Sequence, residues 1–417
     1  MSTPHIIILA YHFPPHRTIA AVRTWNIAKH LALLGPDVTV VTIDAALWQR
    51  QDRDHPLYTT PLPANLHVIR LNPRLRAINT DEWNQPHHTL TWLTTAPIRR
   101  LFRLLRIELS IGWVWPLFSR PALHNRTSPT LLLATGGPFL STFLAARRLA
   151  RTLSIPYVLD YRDLWTTGNP HKHGLPFLLQ RPFERVIASS AALVTTASHT
   201  MANHLREALN LSNHVYTLTN GYDPEAIESA SPAVFPQPAI VYAGTLYPPH
   251  ATLHPLLTSL RPLDLPSMPW QVHYYGPHTA LVRRQAYDAG LSHRLVCHGD
   301  VHRTVAISAI KAAHCAVVVT ASTPTAPTTI NGVLTGKLFE ILGTGTPVLL
   351  IAPPTSEAAR VLDGRGYHCP PDDPGRMTHI LRHVLTRPIH RYEPPFTYCW
   401  PRLVAAFYEH LHSLQLL

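Results

Sequence analysis

Short apolar runs alternate with helix-patterned segments along this chain, and the alternation occurs twice. Residues 6–10 (IIILA) read as a buried strand, 18–34 as a helix stopped by Gly35, and 38–42 as a second strand. Further strand-like runs follow at 131–134, 157–159 and 193–196. Strand, helix and strand in succession imply a parallel sheet with helices on both faces. A Pro-rich stretch, SASPAVFPQP at 229–238, then interrupts the pattern. Beyond it, strands are expected at 240–243, 271–275, 296–298, 316–320 and 348–352, with helix-like segments between them. A second Pro-rich crossing at 392–395 precedes a helical pattern over 401–414. The expected architecture is α/β, with two Rossmann-like domains facing a central cleft. Residues 1–228 form the first domain, 229–238 the linker and 239–391 the second domain. Residues 392–417 cross back and pack a final helix on the first domain.

The 417 residues suffice for two or three cores. No apolar run approaches the ~20 residues of a membrane-spanning helix. The run at 6–10 lacks the length and basic leader of a signal peptide. Cys297, Cys315, Cys369 and Cys399 show no metal-ligand spacing and read as reduced thiols, so a cytoplasmic location is expected. Charge is uneven: residues 1–215 hold 22 Lys and Arg against 11 Asp and Glu, a net +11, whereas the rest hold 14 against 13. The first half is therefore expected to meet something anionic. No nucleic-acid-binding module appears, which leaves an anionic or membrane-borne acceptor, with a small-molecule acceptor also open. Residues 97–109 place Arg99, Arg103 and Arg106 on one helical face and Leu101, Leu105 and Leu109 on another. Such a helix can lie on the inner face of a membrane or serve as an ordinary domain helix.

The segment TGKLFEILGTGTP (335–347) places Lys337 and Glu340 one turn apart near a helix start. Free backbone N–H groups and partial positive charge gather there. Together they suit a ligand anionic at one end and rich in hydroxyls at the other, such as a nucleotide diphosphate-sugar. Lys337 would face the phosphates and Glu340 the ribose, while Gly343 and Gly345 would end the helix before the next strand. The alternative is a solvated Lys–Glu pair on an ordinary helix. In the first half, YHFPPHRTIAAVR (11–23) follows the first strand. Pro14 and Pro15 favour an extended turn, Thr18 a helix N-cap, and Arg17 and Arg23 bring charge beside that N-terminus. Asp160, Arg162 and Asp163 form a dense charged group at a strand end. Pairs such as His12 and His16, His87 and His88, or His171 and His173 fit no zinc pattern, so no metal site is expected. No GxGxxG follows a strand, which disfavours a dinucleotide oxidoreductase.

These segments, taken in order, resemble glycosyltransferase family 4 proteins of the GT-B fold, in particular those opening with a YFPP-type loop. The resemblance runs through LDYRDLW (159–165), TNGYD (219–223), VYAGTL (241–246), HGDV (298–301) and TGKLFEIL (335–342). It implies a hexosyltransferase-type enzyme that uses a nucleotide diphosphate-sugar, by family habit a UDP-sugar, as co-substrate without another cofactor. It further implies retention of anomeric configuration. On this resemblance Gly244, Thr245, Tyr275, Gly276, Gly299, Val301, Lys337 and Glu340 form the donor site. Asp163 acts as an acceptor-side base or orienting group held by Arg162, and His16, Arg17, Thr18 and Asp160 line the phosphate loop and acceptor side. On this resemblance no divalent ion is expected, and Lys337, helix N-termini and the Gly244–Thr245 loop would neutralise the leaving diphosphate. Two departures stand out. Ile19, Ala20 and Ala21 occupy the region where relatives often carry a Gly-Gly pair, and Gly332 stands where they often carry a first glutamate. An epimerase or phosphorylase on the same fold, or a non-catalytic nucleotide-sugar-binding protein, remain alternative expectations.

Overall fold

The computed structural model describes residues 3–48, 51–52, 62–72, 97, 100–101, 104, 109–119, 130–168, 174–212, 214–323 and 331–417. The chain divides into two compact units, residues 1–219 with 401–417, and residues 220–400.

In the first unit β1 (His5–Leu9) leads to α1 (Ile19–Leu33), β2 (Asp37–Ile43), β3 (Leu66–Leu71) and β4 (Leu131–Thr135). Then come α2 (Phe139–Leu153), β5 (Tyr157–Tyr161), α3 (Leu175–Ser189), β6 (Leu193–Thr196), α4 (His199–Leu209) and β7 (His214–Thr217). The seven strands form one parallel sheet in the order β3-β2-β1-β4-β5-β6-β7. Every residue of β1 is buried, as a strand covered on both faces requires. Its neighbours β2 and β4 leave in opposite directions across the sheet. That reversal of strand order is the usual place for a ligand crevice in an open parallel sheet.

The second unit repeats the plan, from α5 (Pro224–Ser229) through β8 (Ala239–Ala243), α6 (His254–Leu260), β9 (Gln271–Tyr275), α7 (Thr279–Asp288) and β10 (Leu295–Gly299). It continues with α8 (Arg303–Ala312), β11 (Cys315–Val319), α9 (Gly336–Thr344), β12 (Val348–Ile351), α10 (Glu357–Leu362), β13 (Gly366–Cys369) and α11 (Pro374–Thr386). Its six parallel strands run β10-β9-β8-β11-β12-β13, so strand order reverses between β8 and β11. The last helix, α12 (Trp400–Ser413), belongs mostly to the first unit. There Tyr216 of β7 stacks on His410, with ring centroids 4.5 Å apart.

The unit boundary falls at residue 219, before the expected end of the first domain at 228. Tyr222, Ile227 and Ala230 bury themselves with Ile307 and Cys399, and Asn220 donates to the Leu334 carbonyl, which ties 220–230 into the second unit. Residues 392–400 stay with that unit for the same reason: Tyr222 N–H donates to Tyr398 C=O, and Trp400 N–H donates to Tyr222 C=O. The basic helical reading of 97–109 lies largely outside the described residues, as do His87, His88, His171 and His173. Among the described residues, no helix is long and apolar enough to cross a membrane.

Candidate functional site

In the second unit the loops leaving β8, β9 and β10 are tied to one another. Gly244 N–H donates to the Tyr275 carbonyl, and Gly276 N–H to the Gly299 carbonyl, each over 2.7 Å. Gly244 has φ +127, a conformation side chains rarely adopt. At Gly276 the need is for space: a Cβ there would lie 2.4 Å from the Gly244 carbonyl oxygen and 2.6 Å from the Tyr274 hydroxyl. Four of the glycine and tyrosine positions expected at the donor site are thus brought together by backbone hydrogen bonds.

Lys337 reaches this cradle from the first turn of α9. Its ammonium donates to Tyr242 Oη (2.7 Å) and Thr245 C=O (3.2 Å), and lies 4.4 Å from the Tyr242 ring centroid. Burial pulls its pKa down to about 7, with Glu340 acting in the opposite direction. Glu340 does not pair with it. Arg303 of α8 donates from Nε to Glu340 Oε1 over 2.6 Å. The alternative of a solvated Lys–Glu pair is therefore not what forms. Tyr242 and Arg303 are the residues that sequence reasoning missed. Tyr242 lay inside the VYAGTL motif, whereas nothing in the sequence linked Arg303 to Glu340.

Among the described residues, no side chain caps the N-terminus of α9, and the Thr335 hydroxyl is buried without a partner. Thr320, just past β11, likewise has a buried, unpartnered hydroxyl. Uncapped N–H groups beside a cation form a cradle for an anion. Gly345, at φ +71, ends α9 as expected. Gly343 does not end it. This glycine lies inside the helix, where a Cβ would sit 2.5 Å from Tyr222. In the HGDV loop, His298 stacks on Tyr275 at 4.1 Å and meets His273 Nδ1 through Nε2 at 3.0 Å. Burial lowers the pKa of both histidines, that of His273 to about 4, so both are neutral near pH 7. Val301 packs against the apolar cluster that includes Leu338 and Phe339 of α9.

The first unit gathers its own polar group beyond β1, β4 and β5. Thr18 caps α1, accepting from Ala21 N–H. Pro14 and Pro15 sit in a tight turn rather than an extended one, closed by His16 N–H to the Phe13 carbonyl. His16 stacks on Trp48 with ring centroids 3.6 Å apart and meets His12, Nδ1 to Nδ1, at 2.9 Å. Burial, then Arg162, then His16 push the His12 pKa well below its usual value. A Cβ on Gly137 would lie 3.5 Å from Arg162 Nη2 and 4.0 Å from His12 Nε2, which places these side chains round one glycine. Arg17 is half-buried in the same loop. Among the described residues no group of three metal-ligating side chains occurs.

The charged group at the end of β5 splits into two roles. Asp160 is fully buried, and its carboxylate accepts from Arg23 Nε (3.0 Å), Arg23 Nη2 (2.7 Å) and Thr195 Oγ1 (2.8 Å). Arg23 also donates to the carbonyls of Leu218 and Thr219. The acceptor-side placement of Asp160 is therefore corrected: this carboxylate anchors α1 and the β7 exit. Asp163 is exposed, and Arg162 grips its Oδ2 through Nε (2.9 Å) and Nη2 (2.8 Å).

Residues 20–221 match the glycosyl transferase 4-like domain family. The match spans just under half of this chain and lies almost wholly in its first unit. The two parallel-sheet Rossmann-like domains give the chain the GT-B fold shared with solved glycosyltransferases. Sucrose-phosphate synthase from Thermosynechococcus elongatus aligns over 99% of both chains, with TM-score 0.68 and 14% identity. Anabaena HepE, solved with UDP-glucose, aligns over 99% of this chain and 98% of HepE, with TM-score 0.55 and 13% identity. The UDP-GlcNAc 2-epimerase of Methanocaldococcus jannaschii aligns over 99% and 100% of the two chains, with TM-score 0.52 and 10% identity. No curated protein sequence matches this one.

Proposed function

We propose that this glycosyltransferase moves a sugar from a nucleoside diphosphate-sugar, taken as a UDP-sugar, to an anionic or membrane-borne acceptor. The reading rests above all on one observation: Lys337 lies in the cradle of Gly244, Thr245, Tyr275, Gly276 and Gly299 at the uncapped start of α9. Negative charge grows on the diphosphate as it leaves. A cation already fixed by Tyr242, with free N–H groups beside it, can meet that charge without reorganising. Glu340, held by Arg303, would accept from the ribose hydroxyls, and the Tyr275–His298 stack would support the nucleobase beside the Gly299–Val301 backbone.

On the acceptor side, Asp163 would orient or deprotonate the attacking hydroxyl while Arg162 fixes its carboxylate. Arg17, His16 and the α1 N-terminus capped by Thr18 would meet an anionic part of the substrate. The chemistry needs no metal in this scheme, and the family habit is retention at the anomeric carbon. A cytoplasmic site of action follows the sequence reading.

Thermal-shift screening against UDP, GDP, ADP and their sugars, followed by assay of nucleotide release, tests the proposal. UDP or a UDP-sugar is expected to stabilise the protein, and nucleotide release should persist in EDTA. Release abolished by chelation and restored by magnesium or manganese would sink the metal-free mechanism. Tight binding without transfer or hydrolysis would favour the binding-only alternative, and sugar interconversion without nucleotide loss the epimerase.

A further inference from the structure

Helix α3 is built with its apolar face outward. Phe177, Gln180, Glu184, Ile187 and Ala188 point into the first unit. Leu175, Leu178, Leu179, Phe183 and Val186 lie on the opposite side, each 52–68% exposed. Their spacing of three and four residues makes one continuous stripe along the helix. Isolated exposed leucines need no explanation, but a stripe of five large apolar side chains on one helix marks an interaction surface.

The charges decide what that surface fits. Arg181 and Arg185 are exposed on α3 beside the stripe. The helix's one acid, Glu184, is buried, accepting from Thr166 N–H at 3.1 Å and from the Thr166 hydroxyl. The outer face of α3 therefore carries positive charge and no negative charge. On the neighbouring α2, Leu144, Arg148 and Arg151 are exposed, and Arg147 donates to Ser190 Oγ at the α3 terminus over 3.1 Å. Apolar residues along the centre with arginines beside them describe a helix that lies in the plane of an anionic lipid surface. Pairing two copies of this face about a twofold axis would bring like-charged arginines together without a carboxylate to neutralise them. We infer that α3 docks the first unit on an anionic bilayer, burying Leu175, Leu178, Leu179, Phe183 and Val186 among the lipids with the arginines at headgroup level.

This inference deepens the membrane-borne acceptor reading, but its test does not depend on glycosyl transfer. Flotation of the full chain would use phosphatidylcholine vesicles with and without anionic phosphatidylglycerol, whose negative surface attracts basic segments. The wild type is expected to float with the anionic vesicles and to lose binding in high salt. The double variant Leu179→Ser with Phe183→Ser should partition at least about tenfold more weakly, and Arg185→Ser about fivefold more weakly. Because these side chains are exposed, melting temperature and UDP affinity should stay at wild-type values, which separates lost docking from lost folding. Wild-type protein that stays unbound with anionic vesicles, or an apolar variant that floats as well as wild type, overturns the inference. So does a wild-type dimer in light scattering that the apolar variant converts to monomer, because the face would then belong to a second copy.

Discussion

A lysine whose pKa is already near 7 should make nucleotide binding depend on pH in a defined direction. In the free protein, burial lowers the Lys337 pKa to about 7. A diphosphate about 4 Å from the ammonium contributes about 4 kcal/mol at an effective dielectric of 20, roughly three pKa units. The bound pKa is then about 10. Between those values the free protein holds Lys337 neutral and the complex holds it charged, so binding takes up a proton and rising pH opposes it. Affinity for UDP should fall about 20- to 30-fold between pH 7.5 and 9, a range above the last ionisation of the diphosphate near pH 6. Calorimetric titration in two buffers of different ionisation enthalpy reads the proton uptake directly, and about one proton is expected at pH 8. Lys337→Met should bind more weakly and with a flat pH profile. Wild-type affinity that stays constant over this range, with no proton uptake, would refute the placement of Lys337 on the phosphates.

Asp163→Asn should leave UDP affinity within twofold of wild type yet cut transfer by about 10²–10⁴, the usual contribution of a positioned acid or base; an unchanged transfer rate would make Asp163 structural. Arg23→Met leaves the Asp160 carboxylate buried without its cation, so chemical denaturation should show the first unit destabilised by about 3–5 kcal/mol. Gly276→Ala drives a methyl group against the Gly244 carbonyl; a loss of about 1–3 kcal/mol is expected together with weaker UDP binding, and a variant as stable as wild type would show that the loop junction gives way freely.

The sequence revealed the interior of both sheets and little of their margins. Runs such as HIIIL, LLLAT and CAVVV are buried on both faces and announce themselves as strands. The strands left unread, LHVIRL, HVYT and GYHC, are β3, β7 and β13, and each stands at a sheet edge. Edge strands keep polar and charged side chains, so their apolar pattern fades. The same logic explains α3. Helical periodicity marks an apolar stripe without saying which way it faces, and here it faces out. At the site, the turn spacing correctly placed Lys337 and Glu340 on α9. Their partners Tyr242 and Arg303 come from elements 95 and 37 residues away in sequence, a separation that only the folded sheet closes. Asp160 and Asp163 look equivalent in the sequence. Burial separates them, since one carboxylate is fully enclosed by Arg23 and Thr195 while the other meets solvent beside Arg162.

The central claim is that the cradle of the second unit holds a nucleoside diphosphate with Glu340 on its ribose. Calorimetric titration of UDP into wild type and Glu340→Ala tests it most directly, with melting temperatures measured alongside to confirm that both proteins are folded. The variant loses one charge-assisted hydrogen bond, so the account predicts about 1.5–3 kcal/mol weaker binding, a roughly ten- to hundredfold rise in Kd. A folded Glu340→Ala protein that binds UDP as tightly as wild type, or a wild type that binds no nucleoside diphosphate, would contradict it.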